Sequence, residues 1–210
     1  MDKPYSQACE NNKAPILAII RNAFSQPATV WEIGSGTGQH ACYFASELPH
    51  LIWQPTDLAE NLPGINAWRD EAQLPNLIQP LVLDVTDPVW PCDVIDAVFT
   101  ANTLHIMSWQ QVELLFERLQ TYLNPLARVC IYGPFNYNGN YTSDSNARFD
   151  QWLKSRDPLS GIRYFEAVIT LAKSAGLKLL NDSAMPANNR LLVLQKSGNI
   201  INQPITRDLS

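Results

Sequence analysis

The chain has little with which to grip a polyanion, a metal or a membrane. Fifteen Lys and Arg residues stand against 20 Asp and Glu, a formal net charge of -5. The densest basic cluster, Lys154, Arg156 and Arg163, is thin, which argues against a nucleic-acid backbone as partner. Four cysteines (Cys9, Cys42, Cys92, Cys130) are scattered, without a C-x-x-C pair or metal-ligand spacing. Cys42 and Cys130 sit in apolar runs, so reduced core thiols of a cytoplasmic protein are expected, with no metal. No apolar stretch approaches the ~20 residues of a membrane span. The start, M-D-K-P-Y-S-Q, has no signal-peptide core. Internal repeats and dividing linkers are absent. With 210 residues, one domain is expected over residues 1–196, then a polar, flexible tail over 197–210.

Glycine is also scarce, yet three of the nine fall at Gly34, Gly36 and Gly38. Before them runs a short apolar segment, Val30, Trp31 and Ile33, interrupted by Glu32. After them Ala41, Phe44, Ala45 and Leu48 recur at helical spacing. Strand, tight turn and helix are therefore predicted, with the turn open to a ligand and helix N–H groups aimed at it. This is the first βα turn of a nucleotide-binding α/β domain. Counted from Gly34, the dinucleotide fingerprint G-x-G-x-x-G/A fails at Gln39; counted from Gly36 it fits, ending at Ala41. A carboxylate at Glu32 would repel a pyrophosphate and suits an ammonium or sulfonium group.

The pattern along the chain alternates strands and helices. A helix is expected over 12–24, with Asn12 as cap and Pro15 in the first turn. A second strand, 51–57, ends in Asp57, nineteen residues after Gly38, where a ribose hydroxyl pair is held; a helix cap is the alternative role. A short helix from Pro63 to Gln73 and a third strand over 77–85 follow. Pro80 suits an edge strand, and Asp84 closes it. A buried strand spans 93–100. Ser108 and Gln111 form a capping box for a helix to about Leu123. A fifth strand covers 128–135. Residues 136–163, rich in Asn, Gly, Ser and Asp, are expected as an active-site loop or lid, with a brief helical piece at 147–154. A helix over 164–175 is closed by Gly176. Strands over 177–185 and 190–196 are joined by P-A-N-N and so form an antiparallel hairpin.

The stretch E-x-G-x-G-x-G resembles the first motif of class I S-adenosylmethionine (SAM)-dependent methyltransferases. That resemblance implies an α/β, Rossmann-like, seven-stranded and mostly parallel sheet of order 3-2-1-4-5-7-6 with a C-terminal antiparallel hairpin. It implies SAM as cofactor, with the glycine turn under its methionine part and Asp84 accepting from the adenine amino group. The implied cofactor contacts are Glu32, Gly34, Ser35, Gly36, Gly38, Asp57, Asp84, Val85 and Asn102. Further pieces resemble one family, methyltransferase-like protein 26. They are Glu10–Lys13 before Pro15-Ile16-Leu17, S-G-T-G-Q-H, Ala101-Asn102 with Leu104-His105-Ile106, and Y-G-P-F at Tyr132–Phe135. Ser145-Asn146 with Phe149-Asp150, Arg156-Asp157-Pro158 with Gly161-Ile162-Arg163, and Met185-Pro186 with Asn188-Asn189 complete the set. The family supplies no acceptor, and fold alone never does.

Methyl transfer needs the nucleophile held in line in a dry cavity, and a base when the acceptor must lose a proton. Asn102 and His105 follow the fourth strand at the carboxyl edge, where ligands bind in open α/β sheets. His105 is the leading base because histidine titrates near neutrality; packing beside Trp109 or satisfying a loop carbonyl is the alternative. Tyr132 is a further catalytic candidate. Asn11, Lys13, Phe135, Asp150 and Arg163, on the two segments expected to roof the site (6–13 and 136–163), are candidates for binding a small-molecule acceptor; for the polar ones a structural role is the alternative. A free arginine among them would favour an acidic acceptor. The N/D-P-P-Y/F motif of many amino-group methyltransferases is absent: Ala101-Asn102-Thr103-Leu104 stands there. A SAM-binding sensor or scaffold without transfer, and an NAD(P)-dependent oxidoreductase, are the competing functions.

Overall fold

A computed structural model describes residues 3–198 of the chain. The tail expected over 197–210 is thus described only at Ser197 and Gly198, and the rest lies outside the described residues. Helix α1 (Gln7–Ala23) begins well before the predicted 12–24 span. Ser6, not Asn12, is its cap: the Ser6 hydroxyl accepts from the Cys9 N–H. Pro15 lies inside the helix, not in its first turn. Its missing N–H leaves the carbonyl of Asn11 without a partner four residues on, at an exposed position that water can reach. Ile16, Leu17, Ile20 and Phe24 supply the buried stripe.

Strand β1 (Thr29–Ile33) leads through the glycine turn into α2 (Gln39–Glu47). Next come β2 (Ile52–Asp57), α3 (Leu62–Ala72), β3 (Leu81–Val82) and β4 (Ile95–Ala101). Helix α4 (Trp109–Tyr122) carries the predicted capping box, with Ser108 and Gln111 exchanging side-chain and backbone bonds. Strand β5 (Leu123–Gly133) follows. The segment expected as a lid with a brief helical piece at 147–154 is more ordered than that: a short strand β6 (Phe135–Asn136), a longer helix α5 (Asp144–Arg156, 13 residues) and short strand β7 (Arg163–Tyr164), with β6 and β7 paired in parallel. Helix α6 (Phe165–Ser174), strand β8 (Leu177–Met185), a 3-10 turn (Pro186–Asn188) and strand β9 (Asn189–Lys196) close the chain.

The main sheet has seven strands in the order β3-β2-β1-β4-β5-β9-β8. All pairs are parallel except β5–β9 and β8–β9. With the short β6–β7 pair set aside, this is the expected order, terminal hairpin included. Strand β3 is the edge, as Pro80 requires, but regular pairing covers only Leu81 and Val82; Leu77 makes a lone bridge to Trp53. Side chains alternate between two cores. Trp31, Ile33, Val98, Val129, Ile131, Leu192 and Leu194 pack with α4 and α6. Val30, Ala97, Phe99, Cys130, Leu191 and Val193 pack with α1 and α2. With both faces covered, the carboxyl ends of the parallel strands are where a ligand can enter.

Candidate functional site

A cavity of about 1040 Å³ opens along that carboxyl edge. At one end the turn after β1 folds back on β2, the N–H groups of Gly34 and Ser35 both reaching the Thr56 carbonyl at 3.0 Å. Gly36 has φ +57°, and a Cβ built there would meet nothing within 4 Å: it would project into open space. Gly38 serves packing instead. It has φ +88°, and a Cβ there would lie 3.0 Å from the Ile65 Cα.

Asp57, at the end of β2, ties this corner together. One carboxylate oxygen accepts from the Gly36 N–H at 2.6 Å. The other accepts from the Leu58 N–H and the Asn61 amide, each at 2.7 Å. The helix-cap alternative for Asp57 is not what forms, since α3 starts at Leu62 with Asn61 as its cap. Asp84 lies on the same wall with Leu83 and Val85, one carboxylate oxygen accepting from Thr86 N–H at 2.8 Å and its hydroxyl at 2.7 Å.

Glu32 is not on the wall. It is 1% exposed, behind the turn, and accepts from the Trp53 indole N–H at 2.9 Å. Burial raises its pKa from the ordinary 4.5 to about 8, with Asp57 pushing the same way. The expectation of a charged carboxylate at the turn is therefore corrected: Glu32 is a neutral acid holding β1 to β2 at neutral pH.

The other end begins at Asn102, which leaves β4 with φ +58° while its N–H bonds the Tyr132 carbonyl at 2.8 Å. His105 lies deeper, 5% exposed, edge-on to Phe149 with ring centres 5.3 Å apart. Burial, then the Arg163 charge, lowers its pKa to about 4. It therefore does not titrate near neutrality as expected; its ring is neutral there. It packs against Phe149 rather than Trp109, and its own carbonyl accepts from the Gly161 N–H at 2.9 Å. Tyr132 also lines the cavity, and burial raises its pKa against the lowering influence of Asn12 and Asn189. His40, on the α2 side, shares a 2.6 Å hydrogen bond with Asn12 and is likewise lowered to about 4, mainly by burial.

Of the expected acceptor contacts, Asn11 lies on the wall. Lys13 does not: it pairs with Glu10 at 2.5 Å and sits over the Tyr43 ring. Phe135, 1% exposed, belongs to the core beside α4. Asp150 is on the buried face of α5, accepting from Lys154 at 2.6 Å and from the Tyr141 hydroxyl and the Ile162 N–H at 2.7 Å each. Arg163 donates to the carbonyls of Leu104 at 2.9 Å, Leu159 at 3.0 Å and Met107. It binds neither Asp150 nor Asp157; its partners are backbone oxygens that fix the loop carrying His105.

Several wall residues were not foreseen as contacts: Cys9 and Asn12 from α1, His40 from α2, Phe149 and Trp152 from α5, and Pro186, Ala187 and Asn189 at the final turn. Ser145-Asn146, Phe149 and Asn189 fall within the short pieces singled out above, which was the signal available. No lysine or arginine lines the cavity among the described residues. Among them, too, no group of three or more His, Cys, Asp or Glu could hold a metal ion, and no helix is long and apolar enough to cross a membrane.

Solved structures share this architecture. An O-methyltransferase family protein from Burkholderia thailandensis aligns with TM-score 0.79 at 15% identity, over 89% of this chain and 57% of its own. An O-methyltransferase family 2 protein from Planctomyces limnophilus, solved in complex with apigenin, aligns with TM-score 0.78 at 15% identity, over 90% and 58% respectively. The YcgJ protein from Bacillus subtilis aligns with TM-score 0.69 at 12% identity, over 89% of this chain and 100% of its own. The chain thus spans somewhat more than half the length of the first two, and at these identities the likeness is one of fold. Residues 3–196 match the family model described as a protein of unknown function (DUF938), and the chain belongs to that family.

Proposed function

We propose that the protein is a SAM-dependent methyltransferase acting on a small molecule. The observation that carries this reading is a single cavity running from the Gly36–Asp57–Asp84 corner past Asn102 to His105. The residues present fit the cofactor. Gly36 leaves open space where a side chain would stand, and Asp57 and Asp84 are two hydrogen-bond acceptors spaced along the strand ends. A nicotinamide dinucleotide is a poorer fit, because the sheet ends in the antiparallel β8–β9 hairpin where a nicotinamide-binding fold usually has a parallel sixth strand. The match of the short sequence pieces to methyltransferase-like protein 26 supports the same reading.

When bound, SAM supplies an electrophilic methyl carbon whose bond to sulfur breaks, the electron pair staying on sulfur, as the acceptor atom's bond to carbon forms. The chain does the rest. The apolar and amide walls exclude water and orient the acceptor. His105, neutral above about pH 5, takes the acceptor's proton on a ring nitrogen. A weak base suffices, since that proton becomes strongly acidic only as the new bond forms.

The test is to incubate the protein with methyl-labelled SAM and an extract of the cells that make it. Label should move into the low-mass fraction. Label that stays on SAM, although SAM binds, supports a sensor or scaffold instead; label on protein or nucleic acid contradicts the small-molecule acceptor.

A further inference from the structure

The end of the cavity around His105 is built without charge. Phe149 and Trp152 stack with ring centres 5.7 Å apart and planes 17° apart, and His105 stands edge-on to Phe149 at 75°. Ile106 and Trp152 are 55% and 49% exposed, large apolar groups left uncovered at the wall of one cavity. Lone exposed apolar side chains are ordinary, but these two line the same cavity as the Phe149 ring. Polar groups there are neutral: the amides of Asn102, Asn146 and Asn189 and the Tyr132 hydroxyl.

The cations nearby in the sequence are engaged elsewhere. Arg163 is held by three backbone carbonyls, Lys154 by Asp150 and Lys13 by Glu10. Arg156 lies over the Trp152 ring at 4.9 Å but does not line the cavity. An anionic acceptor would therefore find no cationic side chain, and its one counter-charge, the sulfonium, is discharged as the methyl group leaves. A cationic acceptor fares no better. Both wall carboxylates, Asp57 and Asp84, belong to the opposite corner, and a sulfonium would lie between.

We infer that the acceptor is an uncharged, planar aromatic molecule, seated against Phe149 and Trp152 with its polar groups met by the Asn102 and Asn189 amides and the Asn146 amide oxygen, the Asn146 NH2 being held by Thr142 and the Asn188 carbonyl. The inference rests on the methyl-transfer reading above. It converts a neutral apolar slot into a substrate class: rings stack on aromatic walls, and amides discriminate by hydrogen bonding without charge.

The experiment uses the full chain and methyl-labelled SAM, with cell extract first separated on anion- and cation-exchange resins at pH 7, because methylation would itself neutralise an anionic acceptor. Acceptor activity should appear in the fraction that flows through both, and the labelled product should absorb in the near ultraviolet and bind an apolar resin. With that product's precursor in hand, Phe149→Ala should raise the acceptor KM at least tenfold while S-adenosylhomocysteine affinity stays within twofold. Trp152→Ala, at an exposed position, gives the same readout should Phe149→Ala fold poorly, and Phe149→Tyr should retain most of the wild-type KM. Acceptor activity retained on either exchanger, or an acceptor KM unmoved in both alanine variants, overturns the acceptor class and leaves methyl transfer standing. No labelled product at all overturns both.

Discussion

The two ends of the cavity are made from different material. At the glycine-turn end, the wall is made of the turn backbone, its N–H groups at Gly34, Ser35 and Gly36 already bonded to Thr56 and Asp57, and of two carboxylates at the ends of adjacent parallel strands. At the His105 end it is made of side chains on α1, α5, the loop after β4 and the turn before β9, segments far apart in sequence. The first end is rigid because sheet hydrogen bonds hold it; the second is held by side chains such as Arg163 reaching backbone carbonyls. On the methyl-transfer reading proposed above, cofactor recognition would reside in the part of the fold that local sequence determines, and acceptor recognition in the part that tertiary packing assembles.

Variants that disable one end and spare the other test this division. The largest effect is expected from His105→Gln, which should lower kcat by roughly 10²–10⁴, the usual contribution of a positioned base. Its S-adenosylhomocysteine affinity should stay unchanged by calorimetry. In the wild type, kcat should be flat between about pH 6 and 8 and fall below about pH 5, as the ring protonates at about 4. A decline centred near pH 6.5 would remove His105 in its buried, neutral form from the chemistry.

Gly36→Asn comes next. Asparagine tolerates positive φ, so the turn should survive while the side chain enters the cavity. Cofactor affinity should drop about a hundredfold, or ~2.7 kcal/mol, with little change in Tm. Gly38→Ala should do the reverse, losing roughly 1–3 kcal/mol of stability to strain and contact with Ile65, while affinity follows the folded fraction.

Asp57→Ala should weaken SAM binding at least about tenfold, since hydrogen bonds to a charged acceptor are worth about 1.5–3 kcal/mol each. It also removes the anchor of the Gly36 N–H, so Tm should fall modestly as well. Unchanged affinity in a folded variant would sink the ribose-holding role.

Glu32→Gln is predicted to matter least for binding and to show in stability. The Glu32 carboxyl holds its proton more tightly folded than unfolded. The stability this contributes is fully present below about pH 4.5 and is lost as pH rises toward 8, at up to about 1.4 kcal/mol per pH unit. Replacement by glutamine should flatten that part of the stability curve between pH 5 and 8, measured by denaturant midpoint. An unaltered slope would mean that Glu32 is ionised.

Particular residues explain why the sequence disclosed one end and not the other. The glycine turn, Asp57 and the strand order follow from short-range patterns: alternation, glycine spacing and a carboxylate at a strand end. Helix α5 lacked an apolar stripe because its buried face is partly polar, Asn146 and Asp150 with Leu153, so periodicity gave only a brief helical piece. Pro15 disguised α1, since proline usually marks a first turn and here stands inside the helix. Arg163 and Asp150 have the chemistry of acceptor ligands, and nothing local reveals that backbone groups engage them. Glu32 was placed correctly on β1, but its neutral state depends on burial against Trp53, a residue of the neighbouring strand.

Calorimetric titration of the wild-type chain with S-adenosylhomocysteine and, separately, with NADPH tests the central claim most directly. S-adenosylhomocysteine should bind at one site with micromolar or tighter affinity, lost in Gly36→Asn, and NADPH should give no heat of binding. Saturable binding of NADPH, with none of S-adenosylhomocysteine, would contradict the account.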